Sequence, residues 1–199
     1  ILYAQEANIT ELDAIEVSAD AAEPSGTAPS DGYTAEATVT GTKTTTNVVE
    51  TPQSISTVTA DQIEDQNAAN LGEVLRYTAG ARGETFGFEP RTTFLRIRGF
   101  DVATSGLFRD NLKLANPGFA AGYSLEPYGA ERIDVLKGPS SVLYGQAGPG
   151  GLVNYVSKRP TFDTRREVRV EAGTNDLVQG QFDISGAVND SDTLAVRLV

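Results

Sequence analysis

The most ordered run of hydrophobic and polar positions lies at residues 131–160, ERIDVLKGPSSVLYGQAGPGGLVNYVSKRP. Ile133 and Val135 begin a β-prone run, and Val142 and Leu143 follow past Lys137. Leu152, Val153, Tyr155 and Val156 form a second run, which stops at Arg159 and Pro160. Between the runs, Gly138 and Pro139 predict a turn, Ser140 a helix cap, and Gly145 the positive φ that ends a short helix. Two buried strands and a one-turn helix are expected here as one compact unit. Beyond Thr161 the pattern becomes strict alternation. Val168, Val170 and Ala172 alternate with Glu167, Arg169 and Glu171. Val178, Gly180, Phe182, Ile184, Gly186 and Val188 alternate with Gln179, Gln181, Asp183, Ser185 and Ala187, and Leu194, Val196 and Leu198 follow. Polar turns at 173–176 and 189–192 join these runs into strands with one apolar and one polar face. An outer-membrane barrel and a soluble antiparallel meander both give this pattern.

The N-terminal half mixes short strands with short helices. Residues 37–46 (ATVTGTKTTT) and 53–59 (QSISTVT) are β-prone, with Pro52 at the entry to the second. A capping box from Thr59 to Gln62 opens a helix near 60–66. Asn70 with Glu73 opens another over Leu71, Val74 and Leu75, which Gly80 ends. Residues 82–93 form a glycine-containing loop carrying Arg82, Phe86, Phe88 and Arg91. The next stretch, 94–100 (FLRIRGF), alternates as a strand, with Leu95 and Ile97 on one face and Arg96 and Arg98 on the other. Residues 107–114 predict a hairpin turning at Asp110 and Asn111, which tolerate left-handed backbone. Another glycine-rich loop, 116–123, carries Phe119 and Tyr123. Such a mixture predicts an α+β domain. Near the start, 13–19 (DAIEVSA) is too short to hold a strand alone, but it can add to the sheet edge of another protein. Residues 20–36, rich in Ala, Pro, Ser and Gly, predict a flexible tether.

Composition narrows the chemistry. A chain of 199 residues holds one large or two small domains, and no apolar run approaches 18 residues, so a membrane role would need strands. The absence of Cys, His and Met removes thiol nucleophiles, imidazole bases and the usual zinc and copper ligands. No constellation of paired carboxylates supports a hydrolase. Net charge is −11, but residues 1–75 carry −12, 76–166 carry +5 and 167–199 carry −4. The arginines of the basic middle are scattered among glycines and apolar residues, without a basic helix or an aromatic RNA-reading motif, which argues against nucleic acid. Cations facing the carboxylates of an enclosing wall, or an anionic ligand, suit the pattern better. Gly145, Gly148, Gly150 and Gly151 do not make a phosphate cradle, because Leu152 and Val153 stand where a P-loop needs Lys and Ser or Thr. The dinucleotide pattern would likewise need glycine at Val153. Close backbone approach is the better use of these glycines.

The stretch ERIDVLKGPSSVLYG at 131–145, followed by GPGGLVNYVSKRP at 148–160, resembles the plug domain of TonB-dependent outer-membrane receptors, above all those for ferric siderophores. PQSISTVTADQI at 52–63 and LGEVLRYTAGA at 71–81 are similar to the opening of such plugs. TGTK at 40–43, SVLYG and GGLVNYVSKRP are similar to the ferrichrome-like hydroxamate branch. The order of segments agrees from Asp13 to the end.

The resemblance implies an α+β plug, a mixed sheet with short helices, followed by the start of an antiparallel transmembrane β-barrel. It divides the chain into an N-terminal extension (1–12), a TonB box (13–19: Asp13, Ala14, Ile15, Glu16, Val17, Ser18 and Ala19), a linker (20–36), the plug (37–162) and the first barrel strands (163–199). Ile1 to Ala4 fits either the tail of a secretory signal or an ordinary fragment start. The missing start methionine and the mid-pattern ending at Leu198 and Val199 lead one to expect a piece of a longer chain.

The implied function is import of a ferric siderophore across a Gram-negative outer membrane, by a non-enzymatic monomer embedded in lipid and energised through TonB. Iron would arrive already chelated, with no resident cofactor. Apex loops bearing Arg82, Phe86, Phe88, Arg91, Thr104, Ser105, Phe119 and Tyr123 would touch the chelate, unless their aromatics only pack locally. Arg98 and Lys137 would pair with acids of the barrel beyond Val199. Phe119, near where ferrichrome receptors carry tyrosine, and a shorter loop after Phe100 leave open which ligand is bound, with cobalamin and glycans as alternatives. A soluble periplasmic binding protein is the alternative from another class.

Overall fold

The computed structural model describes residues 25–87, 91–116, 122–174, 176–189 and 193–199. Residues 1–4 and 13–19, together with Phe88 and Phe119, lie outside the described residues. In chain order the strands are β1 (Ala37–Thr38), β2 (Thr46–Asn47), β3 (Ser54–Thr59), β4 (Ala81–Arg82), β5 (Arg96–Ile97), β6 (Phe100–Asp101), β7 (Leu107–Arg109), β8 (Leu112–Lys113), β9 (Ala130–Lys137), β10 (Gly151–Ser157), β11 (Arg165–Ala172), β12 (Val178–Ala187) and β13 (Ala195–Leu198). The helices are α1 (Ala60–Asp65), α2 (Leu71–Val74) and α3 (Ser141–Tyr144).

A five-stranded sheet, ordered β3-β9-β10-β7-β8, organises the chain ahead of β11. It is mixed, because β10 runs parallel to β7 and antiparallel to β9. The two long strands are buried on both faces, but the faces differ in chemistry. Ile133 and Val135 stand opposite Tyr155 and Val153, and these four pack with Leu71, Val74, Leu75, Leu95 and Ile97 into the main apolar core. On the reverse face Leu136 and Leu152 join Phe108 and Tyr144, but the next positions are Asp134 opposite Asn154, with Arg132 beyond. All three polar side chains are buried.

That polar face is covered by residues 25–47. Thr38 Oγ1 and Thr40 Oγ1 donate to Asp134 Oδ2 at 2.7 and 2.6 Å. Asn154 Nδ2 donates to Thr40 Oγ1 at 2.9 Å, and the Tyr144 hydroxyl donates to the Thr40 carbonyl at 2.8 Å. Arg132 pairs with Asp134 at 3.4 Å and donates to the Gly26 carbonyl. Lys43 donates to the Asn111 carbonyl at 3.3 Å and sits 3.5 Å above the Tyr144 ring. From Ser25 onward the predicted tether is therefore attached to the sheet and to α1: the Gly32 N–H donates to Asp61 at 2.7 Å and the Tyr33 hydroxyl donates to Asp65.

Local signals account for most elements. Thr59 Oγ1 accepts from the Gln62 N–H at the start of α1, and Asn70 Oδ1 accepts from the Glu73 N–H at the start of α2. The hairpin turns at Asp110 and Asn111, with φ of 49° and 67°. Four expectations are corrected. FLRIRGF is a tight hairpin rather than one strand: Arg98 and Gly99, at φ of 51° and 87°, turn the chain between β5 and β6. Gly80 does not end α2, which stops at Val74; its φ of 75° turns the chain into β4. Ser140 precedes α3 without a side-chain cap. Residues 37–46 keep strand geometry only at β1 and at the start of β2, because the intervening threonines bond to one another and to Asp134.

Strands β11, β12 and β13 form a separate antiparallel sheet.

Candidate functional site

Gly83 lets the 82–87 loop lie on the start of α2, since a Cβ there would stand 2.3 Å from Gly72 Cα. Phe86, 60% exposed, meets Phe94 edge-on with ring centroids 5.1 Å apart. The Thr93 N–H donates to the Tyr123 carbonyl at 3.3 Å, and Glu84, Gly87, Thr92, Phe94 and Ser124 line one small cleft. Two of the three predicted apex loops are thus neighbours. Arg82 and Arg91 are exposed, whereas the Tyr123 ring packs against the core and burial raises its phenol pKa. The third loop sits elsewhere in the contacts: Ser105 Oγ lies 3.6 Å from the Cβ position of Gly148, and Gly106 abuts the Gly151 carbonyl. Thr104 is exposed beside it.

Arg98 and Lys137 are adjacent cations. Arg98 Nη1 lies 3.4 Å from the Cβ position of Gly138, the residue after Lys137. Burial, then the Arg98 charge, lowers the Lys137 pKa, and its ammonium donates to Ser56 Oγ at 2.8 Å. Among the described residues neither cation is in an ion pair.

The β11–β13 sheet is inverted relative to an ordinary soluble meander. Val168, Val170, Val178, Phe182, Ile184, Val196 and Leu198 face outward and are exposed, while Asp183 and Ser185 are buried on the face toward the plug. The polar face carries the ion network. Asp183, with no solvent exposure, accepts from Arg197 Nε and Nη2 at 2.8 and 2.7 Å, and pairs with Lys158 at 3.1 Å and Arg165 at 3.4 Å. Arg197 also reaches Glu131 on β9 at 3.6 Å. Lys158, just past the end of β10, lies 4.1 Å above the Tyr128 ring. Burial and the nearby Glu167 charge push the Tyr128 phenol up to about 12. Above this cluster a polar cavity of about 190 Å³ separates plug and sheet, lined by Glu64, Glu126, Arg169, Glu171 and Gln181 among others. Burial and then Glu171 raise the Glu126 pKa, opposed by a backbone hydrogen bond from Tyr128.

Sequence reasoning placed the acid partners of Arg98 and Lys137 beyond Val199; it missed the cluster in which Asp183 on β12 holds Lys158 and Arg197, and in which Arg197 reaches Glu131. The available signal was an acid on the polar side of an alternating strand. Nothing marked Asp134, Asn154, Thr38 and Thr40 as one cluster, since the bonds joining the threonines to the sheet close loops of 94 to 114 residues.

The family model described as TonB-dependent Receptor Plug Domain matches residues 47–152. The ferrichrome outer membrane transporter/phage receptor of Escherichia coli K12 is 40% identical over 99% of this chain and 27% of that protein. The ferrioxamine receptor of Yersinia enterocolitica is 39% identical over 89% of this chain and 25% of that protein. Among solved structures, the outer-membrane ferripyoverdine receptor of Pseudomonas aeruginosa, bound to ferripyoverdine, superposes with a TM-score of 0.74 at 28% identity, over 87% of this chain and 23% of that one. The chain spans about a quarter of the length of the curated relatives it matches.

Proposed function

The chain belongs to the family of TonB-dependent receptor plug domains, and from that premise we propose that it is the N-terminal part of a receptor importing a ferric siderophore across the outer membrane of a Gram-negative bacterium. Relatives named for ferrichrome and ferrioxamine support this reading and favour a hydroxamate chelate. The observation that carries it is the inverted sheet, with apolar side chains turned outward and a buried carboxylate turned toward the plug. A soluble meander would expose Asp183 and bury Phe182 and Ile184; a barrel wall in lipid around a polar plug does the opposite.

In this reading residues 37–162 are the plug and 163–199 the first wall strands. A scarce, bulky chelate cannot be admitted by an open pore, so in this reading the plug closes the barrel and is remodelled by work delivered through TonB at Asp13 to Ala19. Arg98 and Lys137 are side by side and, among the described residues, in no ion pair; in this reading they meet carboxylates of later wall strands, since a cation pair enclosed by a wall needs such partners. Phe86 and the exposed Arg82 and Arg91 offer aromatic and cationic groups to a chelate. In this reading the metal arrives already inside its chelator and is recognised through it.

Quenching of intrinsic fluorescence in the complete receptor by a panel of ferric hydroxamates, ferric catecholates, cobalamin and oligosaccharides tests the reading. Saturable quenching by a ferric hydroxamate is expected. Quenching by cobalamin or a glycan alone rejects the siderophore assignment.

A further inference from the structure

Arg98 and Lys137 carry like charges, which separate unless a rigid frame opposes the repulsion. The frame here is backbone. Arg98 is left-handed, with φ of 51°, and its N–H donates to the Gly80 carbonyl at 2.8 Å. Its side chain runs between two glycines: Cγ lies 3.9 Å from the Cβ position of Gly80, and Nη1 lies 3.4 Å from that of Gly138. The hairpin that carries it rests on Gly150. A Cβ on Gly150 would stand 2.3 Å from the Ile97 carbonyl oxygen and 2.8 Å from Phe100 Cβ, the residues on either side of the turn.

Gly150 also holds the strand of the other cation. Its carbonyl accepts from the Gly138 N–H at 2.9 Å, directly after β9 ends at Lys137. One residue therefore meets the Arg98 hairpin through its Cα and the end of β9 through its oxygen. The other glycines of the turn are placed differently. Gly145 faces open space, Gly148 stands at ordinary contact from Asp101 and Ser105, at 3.5 and 3.6 Å, and Gly151 abuts Leu136 and Lys137. A side chain at position 150 would have to displace a backbone carbonyl, which cannot swing aside as the end of a long side chain can. The hairpin would shift with it, and the coupling between two charges falls with their separation.

We infer that Gly150 is a positioning residue for the Arg98 and Lys137 pair: its bare Cα seats the Arg98 hairpin on the same turn that holds the end of β9, and this seat keeps guanidinium and ammonium side by side. What the pair meets in the complete receptor rests on the import reading above; how the pair is held does not.

The titration of Lys137 tests this, followed in the complete receptor in detergent micelles by acetylation with acetic anhydride across a pH series and peptide mass spectrometry. Burial, then the Arg98 charge, holds the Lys137 pKa down, so Arg98→Gln should move the acetylation profile to higher pH. The same displacement should appear in a Gly148→Ala background. In Gly150→Ala the profile should already be displaced, and adding Arg98→Gln should move it no further. Phe100 supplies a second pair of variants, because its ring is 51% exposed while its Cβ abuts Gly150. Phe100→Ala keeps that Cβ and should keep the full response to Arg98→Gln; Phe100→Gly deletes it and should weaken the response. No displacement by Arg98→Gln in the wild type, or an undiminished one in Gly150→Ala, overturns the inference. Should Gly150→Ala not be recovered folded, equal responses in the two Phe100 variants overturn it. Ferric-hydroxamate uptake is scored separately: a receptor that imports no chelate yet shows this pattern supports the role of Gly150 and refutes the import reading.

Discussion

Arg197 on β13 grips Asp183 on β12 through two nitrogens, Nε at 2.8 Å and Nη2 at 2.7 Å, in a site where the side chains are 4% and 0% exposed. A bidentate pair so enclosed fixes the register of β12 on β13, and it ties both to the plug because the same guanidinium approaches Glu131. Arg197→Ala would leave a buried carboxylate short of its main partner, at a cost of about 3–5 kcal/mol. Arg165, half exposed against the same carboxylate, should cost no more than about 1 kcal/mol when replaced by Ala. Guanidinium-induced unfolding of the receptor in micelles checks the ranking.

The outward face of the sheet predicts an asymmetry of charge tolerance. Val170→Lys puts an ammonium on the exposed apolar face and should cost up to about 2–4 kcal/mol in lipid, whereas Gln179→Lys, on the polar face opposite Glu171, should be tolerated within about 1 kcal/mol. The fraction of each variant recovered folded in outer-membrane preparations is the readout. Equal recovery of both would mean that the face carrying Val168 and Val170 does not meet lipid.

Much of this architecture was legible in the sequence, for identifiable reasons. The caps at Thr59 and Asn70 and the turn at Asp110 and Asn111 depend on neighbours within three residues, and the alternation of β11 to β13 on a period of two. What escaped depends on distant partners. Asp134 and Asn154 sit at alternate positions that a sequence reading gives to solvent, yet both are buried under threonines from the start of the chain. Arg98 reads as one more residue of an alternating strand, because a left-handed arginine is rarely favoured and only the tertiary hairpin holds it there. The apex set divides for a similar reason: Phe86 and Tyr123 meet through residues 93 and 94, while Ser105 lies beside the glycine turn at Gly148.

The glycine turn itself makes a graded prediction. Gly151 has φ of 132°, and a Cβ there would lie 2.0 Å from the Leu136 carbonyl oxygen, so Gly151→Ala must force β9 and β10 apart. A loss of about 4 kcal/mol or more is expected. Gly145 also has positive φ, 66°, with ψ of −135°, outside the left-handed helical well, but faces open space, and Gly145→Ala should cost about 1–3 kcal/mol. The midpoints of denaturant-induced unfolding measure both.

Glu126 supplies a pH dependence. Burial and the neighbouring Glu171 raise its pKa, so the folded state binds its proton more tightly than the unfolded chain does. Stability should therefore rise as pH falls through the folded pKa toward the ordinary value of 4.5, and the gain is complete below it. Glu126→Gln removes this component, so the variant should melt above the wild type at pH 7 and the gap should close near pH 4.5. A gap that does not change with pH would show that the carboxyl does not titrate in the cavity.

The central claim is import energised from outside the chain. Its most direct test is uptake of radiolabelled ferric hydroxamate by cells lacking their own siderophore receptors and expressing the complete receptor, with and without TonB. Accumulation that occurs with TonB and disappears without it is the predicted result; uptake indifferent to TonB, or absent for every ferric chelate offered, would contradict the claim.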